Sequence, residues 1–213
     1  MKKNKIKDTG LEVTELSFGT SSLGSMPDTY GYEVPEQRAQ EVLKRFFQGP
    51  VNMLDTSRNY AMGESEKRIG TAIKENGGWP EKFVLSTKID RNMDTLVLDK
   101  KRTRESVEES LRTLNVDSVD VLFLHDPEYV KDINDVTKKD GALDELFKIK
   151  EEGLAKAVGL AMGRIDIMFP ILRKWDFDVI INHNRYTLLN READEMYSYA
   201  YSKNISIFNA APY

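Results

Sequence analysis

Short apolar runs alternate with amphipathic stretches along most of this chain. Candidate strands fall at Leu16–Thr20, Val51–Asp55, Phe83–Lys88, Val119–His125, Ala157–Ala161, Val179–His183 and Ile205–Asn209. They are short, apolar and partly β-branched, as strands covered on both faces are. Between them, apolar residues return at helical spacing. Ala39, Val42, Leu43, Phe46 and Phe47 form one stripe, and Val107, Leu111 and Leu114 a second. Leu143, Leu146 and Phe147 form a third, and Ala193, Met196, Tyr197, Ala200 and Tyr201 a fourth. Pro35 suits a first helical turn and Gly153 a helix stop. Such stripes are packing surfaces and carry no chemistry of their own.

The strands recur every roughly 20–40 residues, the rhythm of right-handed βαβ units. Ahead of the first of them, Lys5–Lys7 and Glu12–Thr14 flank Asp8-Thr9-Gly10 and read as a small hairpin that plugs the N-terminal end of a barrel. The predicted fold class is therefore α/β, a (β/α)8 TIM barrel. Seven strands and six helices are countable in the sequence, where a closed barrel has eight of each and about 250 residues. An open seven-strand sheet leaves two bare edges. The expectation is one barrel domain over residues 1–213, with strand eight and the last helices outside this sequence. Gly159 and Gly163 read as turn glycines, because no G-x-G-x-x-G follows a strand and opens a helix.

Composition narrows the partners. Of 213 residues, 40% are hydrophobic and 31% charged, with a net charge of −4, so nothing favours nucleic acid. The basic run Lys100–Arg102 is followed by Glu105, Glu108 and Glu109 and reads as a solvated helix start. No stretch approaches the roughly 20 apolar residues of a membrane span. The N-terminal MKKNKIKDTG lacks the apolar stretch of a signal peptide. With no cysteine, disulfide and thiolate chemistry are excluded, and a cytoplasmic location is expected. The oligomeric state is not legible.

Chemistry enters at the strand ends. Three successive apolar runs end in Asp55, Lys88 and His125, and Tyr60 follows the first by five residues. Parallel strands all end on one face, so these four side chains converge at one barrel mouth. Singly, each has a plain reading: Asp55 a loop cap, Lys88 a solvated strand end, His125 a turn histidine, Tyr60 a packed aromatic. Jointly they form a proton-transfer set. A free tyrosine has a pKa near ~10, and a cation within ~4–6 Å lowers it. Lys88 is expected to be that cation, Asp55 its counter-charge, and His125 the donor to a substrate oxygen. The polar loop Asp126–Asp140 lies on the same face, as a substrate-selecting loop or a solvated insertion.

The residues also carry a resemblance. LDTSRNYAMGESEKRIGTAI (54–73) resembles the Asp-Thr-x-x-x-Tyr segment of the aldo-keto reductases. VLSTK (84–88) and VDVLFLHDPE (119–128) resemble that family's lysine and histidine strands, and GLAKAVGL (153–160) its fifth-strand entry. The resemblance implies a (β/α)8 barrel, NAD or NADP bound without a Rossmann domain, and the tetrad Asp55, Tyr60, Lys88 and His125, with Tyr60 as general acid/base. DFDVIINHNRYTLLNREA (176–193) and NAAPY (209–213) are similar to the branch of aldose 1-dehydrogenases. That implies a small sugar or carbonyl substrate, with hydride transfer at C1.

The resemblance places Gly19, Thr20, His183 and Asn209 at the cofactor. It also shows departures. Ala161-Met162-Gly163 stands where many members carry Ser-Asn, and His183 where a glutamine is common. Asn209 falls near the position where members commonly carry a tyrosine that stacks on the nicotinamide, and Ala61 stands where a glycine follows the tetrad tyrosine. Three rival readings are open: a Schiff-base aldolase using Lys88, a metal hydrolase using Asp55, His125, Asp126 and Glu128, and a truncated or non-catalytic barrel that binds a partner. The second is disfavoured by having only two histidines and no His-x-His or His-Glu-x-x-His spacing, so no metal is expected.

Overall fold

A computed structural model describes residues 1–213. A hairpin of β1 (Lys3–Lys5) and β2 (Glu12–Thr14) precedes a parallel sheet of seven strands. These are β3 (Phe18–Gly19), β4 (Met53–Asp55), β5 (Val84–Ile89), β6 (Val119–His125), β7 (Ala155–Met162), β8 (Val179–His183) and β9 (Ser206–Ala210). They pair in sequence order, and β3 and β9 share no ladder. Six helices fill the crossovers: α2 (Glu36–Gln48), α3 (Glu64–Glu75), α4 (Lys100–Leu114), α6 (Ala142–Glu151), α7 (Ile165–Leu172) and α8 (Asp194–Ser202). Two short helices, α1 (Pro27–Tyr30) and α5 (Ile133–Thr137), sit in the β3–α2 and β6–α6 connections.

The strand period sorts side chains onto two cores. Met53, Val84, Val121, Phe123, Ala157, Val179 and Ile181 face the concave interior. Leu54, Leu85, Leu122, Leu124, Val158 and Ile180 face the helices. Ile6, Leu11 and Val13 pack into the interior cluster, so the hairpin does plug that end. Its first strand is Lys3–Lys5 rather than Lys5–Lys7, because the chain already turns at Lys7, whose φ is +39°. The Lys7 amide donates to Ser206 Oγ (3.1 Å), which ties the plug to β9.

Two local expectations change. Gly159 lies inside β7 and not in a turn. A Cβ there would meet Val179 O at 2.1 Å and the Phe123 ring at 2.9 Å, so close strand approach is the reason for glycine. The Asp126–Asp140 segment is no simple loop. It holds a 3-10 turn at Pro127–Tyr129 and helix α5, whose Val136 is fully buried.

A buried acid lies between α3 and β5. Glu66 of α3 is fully buried and accepts from Thr87 Oγ1 at 2.5 Å. Burial pushes its carboxyl up to about 7 against the hydrogen bond from Thr87. A folded pKa above the unfolded one adds stability at low pH and removes it as pH rises through 7. Glu66→Gln should therefore stabilise the protein at pH 8 by up to about 3 kcal/mol and have little effect at pH 4. Urea unfolding at both pH values checks this, and equal effects would contradict it.

Candidate active site

The inward face of β5 reads Val84, Ser86, Lys88, and the chain continues on that face to Asp90 just past the strand. β4 places Asp55 beside it, with Asp55 paired to Ser86 in register. Lys88 is 2% exposed, and its ammonium has three donors. They go to Asp55 Oδ2 (2.7 Å), Thr56 O (2.7 Å) and Tyr60 OH (2.9 Å). Asp55 Oδ1 accepts from Ser86 Oγ at 2.6 Å. Three of the four predicted residues are thus one hydrogen-bonded chain. His125, at the inward end of β6, stands edge-on to Tyr60 with ring centroids 5.9 Å apart.

Electrostatics correct one expectation. Burial drives the Tyr60 phenol above its ordinary value, and the opposing charge of Lys88 does not offset it. The phenol is therefore the resting form at neutral pH. For Lys88 burial favours the neutral amine, but Asp55 and Tyr60 together hold its pKa above the usual lysine range.

The turn that presents Tyr60 is strained. Ala61 and Met62 both take left-handed conformations, φ +50° and +55°. An L-residue in that region costs about 1–2 kcal/mol, which is a physical reason for glycine where the resemblance places one. Ala61→Gly should stabilise the fold by about 0.5–1 kcal/mol, the relief of strain less the extra freedom glycine gains on unfolding. A lower melting temperature would contradict it.

Sequence reasoning missed Asp90 and Ser57. Asp90 Oδ1 lies 2.6 Å from His125 Nδ1, and Asp90 Oδ2 accepts from Ser57 Oγ (2.6 Å) and the Asn59 amide (2.9 Å). The signal was available, since Asp90 is two residues beyond Lys88 and so on its face. Burial works against charge on both His125 and Asp90. Their mutual attraction and hydrogen bond outweigh it, raising the imidazole pKa and lowering the carboxyl.

The four residues that the resemblance assigned to the cofactor divide. Gly19 faces open space, with nothing within 4 Å of an added Cβ. Thr20 is buried and its hydroxyl is committed to Asp55 O at 2.9 Å. His183 lies at the inward end of β8. Its ring packs on Gly163, where a Cβ would fall 2.6 Å from Cε1. Asn209 does not reach the mouth. It is on the outward face of β9, held by Tyr186 O (2.8 Å) and Tyr197 OH (3.1 Å).

Asp126, Glu128 and His183 each bring one polar atom to within 4.8 Å of the others, a grouping the sequence did not pair. Glu128 Oε1 accepts from the Gly163 amide at 3.0 Å. Asp126 Oδ1 and Glu128 Oε2 are buried acceptors without a donor.

Comparison with known proteins bears on the family and the fold. Over 216 residues the chain is 30% identical to L-galactose dehydrogenase of Arabidopsis thaliana, covering 96% of this chain and 63% of that protein. It is 29% identical to D-threo-aldose 1-dehydrogenase of a Pseudomonas species, covering 86% and 60% respectively. The chain thus spans less than two thirds of the length of these relatives. The holo form of an aldo-keto reductase from Bacillus halodurans superposes with a TM-score of 0.80 at 25% identity, covering 98% of this chain and 65% of that one. The aldo/keto reductase family profile matches residues 15–213, and the chain belongs to that family.

Proposed function

We propose that this chain carries the catalytic face of an NAD(P)-dependent oxidoreductase acting at C1 of an aldose, or on another carbonyl/alcohol pair. The observation that carries the reading is the Lys88–Tyr60 contact of 2.9 Å, anchored by Asp55 and set beside His125. On this reading residues 1–213 are one barrel domain that takes its eighth strand, between β9 and β3, from further sequence.

Bound NAD or NADP supplies the hydride acceptor or donor. Two features fit such a group: the open space over Gly19, and the unmatched acceptors Asp126 Oδ1 and Glu128 Oε2, which suit amide N–H donors. Tyr60 hands its proton to the carbonyl oxygen in reduction and receives the hydroxyl proton in oxidation. His125 donates to the same oxygen and holds it near the phenol. Asp55 fixes Lys88, and Lys88 fixes the Tyr60 oxygen. Nothing in this scheme requires a membrane or nucleic acid, and no helix is long and apolar enough to cross a membrane.

The three acceptors around Lys88 work against a Schiff-base aldolase. Such an enzyme needs a neutral amine with a free lone pair, and here the ammonium is the favoured form.

The test is direct. Purified protein is mixed with NAD or NADP and a panel of aldoses, and reduced nucleotide is followed at its absorbance band. Reduction of either nucleotide by an aldose is expected. Nucleotide binding without turnover on any aldose, alcohol or carbonyl would overturn the reading. Absence of binding would turn it toward a non-catalytic barrel that binds a partner.

A further inference from the structure

Asp90 is a buried carboxylate that the proton-transfer scheme above does not use. It is 1% exposed, and its position is over-determined. Its amide donates to Ser106 Oγ (3.0 Å), and its carbonyl accepts from Arg102 Nε (3.1 Å). Its Oδ2 is taken by Ser57 Oγ and the Asn59 amide, which leaves Oδ1 for His125 Nδ1 at 2.6 Å. A carboxylate accepts only, so the hydrogen in this contact belongs to Nδ1. Ser57 Oγ, 3.2 Å from the same nitrogen, already donates to Asp90 and so sits beside Nδ1 as a second acceptor.

We propose that Asp90 is a positioning residue for His125: it fixes the hydrogen on Nδ1 and holds the ring as an imidazolium whose Nε2–H is left for the substrate oxygen. The proposal rests on the oxidoreductase reading and deepens it. A neutral ring with Nδ1 protonated would offer only a lone pair at Nε2, which suits a substrate hydroxyl but not a carbonyl. A charged ring offers a donor, and a charge-assisted one. Asp90 therefore decides which face of the chemistry His125 serves.

Other groups face the imidazole. Asp126 Oδ2 lies 3.7 Å from Nε2 and favours the cation. Lys88 opposes it from β5, and its own charge is matched by Asp55. Tyr60 presents a ring edge and has its oxygen on Lys88. Only Asp90 makes a short, buried, ionic contact with the ring. The alternative role for Asp90 is structural, as an acceptor that closes the Ser57–Asn59 turn. That role is carried by Oδ2 alone and predicts nothing about the histidine.

The two histidines of the sequence are His125 and His183, so nitrogen-15 and ring-proton NMR titration resolves both, with His183→Gln for assignment. In the wild-type protein His125 is expected to titrate above about 6.5 and to carry its neutral-form hydrogen on Nδ1. Asp90→Asn should lower the His125 midpoint by about 1 pH unit or more. In carbonyl reduction the same variant should lower kcat by about 10- to 100-fold with little change in KM. The fall in rate on raising the pH should begin at lower pH than in wild type.

An unmoved His125 midpoint in folded Asp90→Asn overturns the proposal, as does an Nε2–H tautomer in the wild type. If Asp90→Asn does not fold, the wild-type spectra alone decide. The NMR readout needs no substrate, so failure of the oxidoreductase reading would show separately as absent turnover.

Discussion

Lys88→Met is expected to destabilise the fold by about 3–5 kcal/mol, the range found when one partner of a buried ion pair is removed. The side chain is fully enclosed and its ammonium binds Asp55, Thr56 O and Tyr60. Methionine fills much of the volume but leaves Asp55 Oδ2 without a donor, while Ser86 still serves Oδ1. The Asp55 side chain is only 16% exposed, so water does little to screen the orphaned charge. Adding Asp55→Asn removes that charge and should recover most of the lost stability, though no activity. The wild-type pair contributes its full stabilisation near neutral pH and gives no pH dependence there. A raised lysine pKa contributes below the unfolded value, near ~10.4, and is lost only at higher pH. Urea titrations of the two variants at pH 7 check the prediction. A single variant within 1 kcal/mol of wild type, by the standard of ordinary surface changes of about 0.5 kcal/mol, would show that Lys88 is not the buried partner described here.

Tyr60→Phe should lower turnover by about two to four orders of magnitude, the usual weight of a positioned acid or base. The ring and its edge contact with His125 remain, so nucleotide affinity should be unchanged. The loss of one hydroxyl bonded to Lys88 should cost only about 1 kcal/mol of stability. The pH dependence follows from the raised phenol pKa. Reduction uses the protonated form, which Tyr60 holds throughout the neutral range. Oxidation needs a proton acceptor, so its rate should climb with pH into the alkaline range, and Tyr60→Phe should abolish the climb. Turnover close to wild type in Tyr60→Phe would remove the tyrosine from the mechanism altogether.

The sequence by itself determined the order of elements and that Asp55, Tyr60, Lys88 and His125 come together. Strand period, helical stripes and turn residues are local signals, and they placed all seven sheet strands and the plug hairpin to within a few residues. Asp55, Lys88 and His125 were legible because parallel strands end on one face, which makes an ionisable strand end visible without coordinates. Tyr60 was legible through its spacing from Asp55.

Tertiary structure decided what local pattern does not encode. Asn209 was a matter of facing: one step along β9 separates the interior from the helix layer, and its register against β8 sets it outward. The Tyr60 pKa depended on the balance between enclosure and the Lys88 charge, and enclosure won. Asp90 shares the face of Lys88 by strand period alone, but its contact with His125 was decided only by the pairing of β5 and β6, because the two lie 35 residues apart in sequence. Asp126, Glu128 and His183 meet for the same reason, across the ends of strands that are distant along the chain. Sequence order fixes which residues reach the barrel mouth. Register, burial and close approach fix what each one touches, and so which of them carries charge.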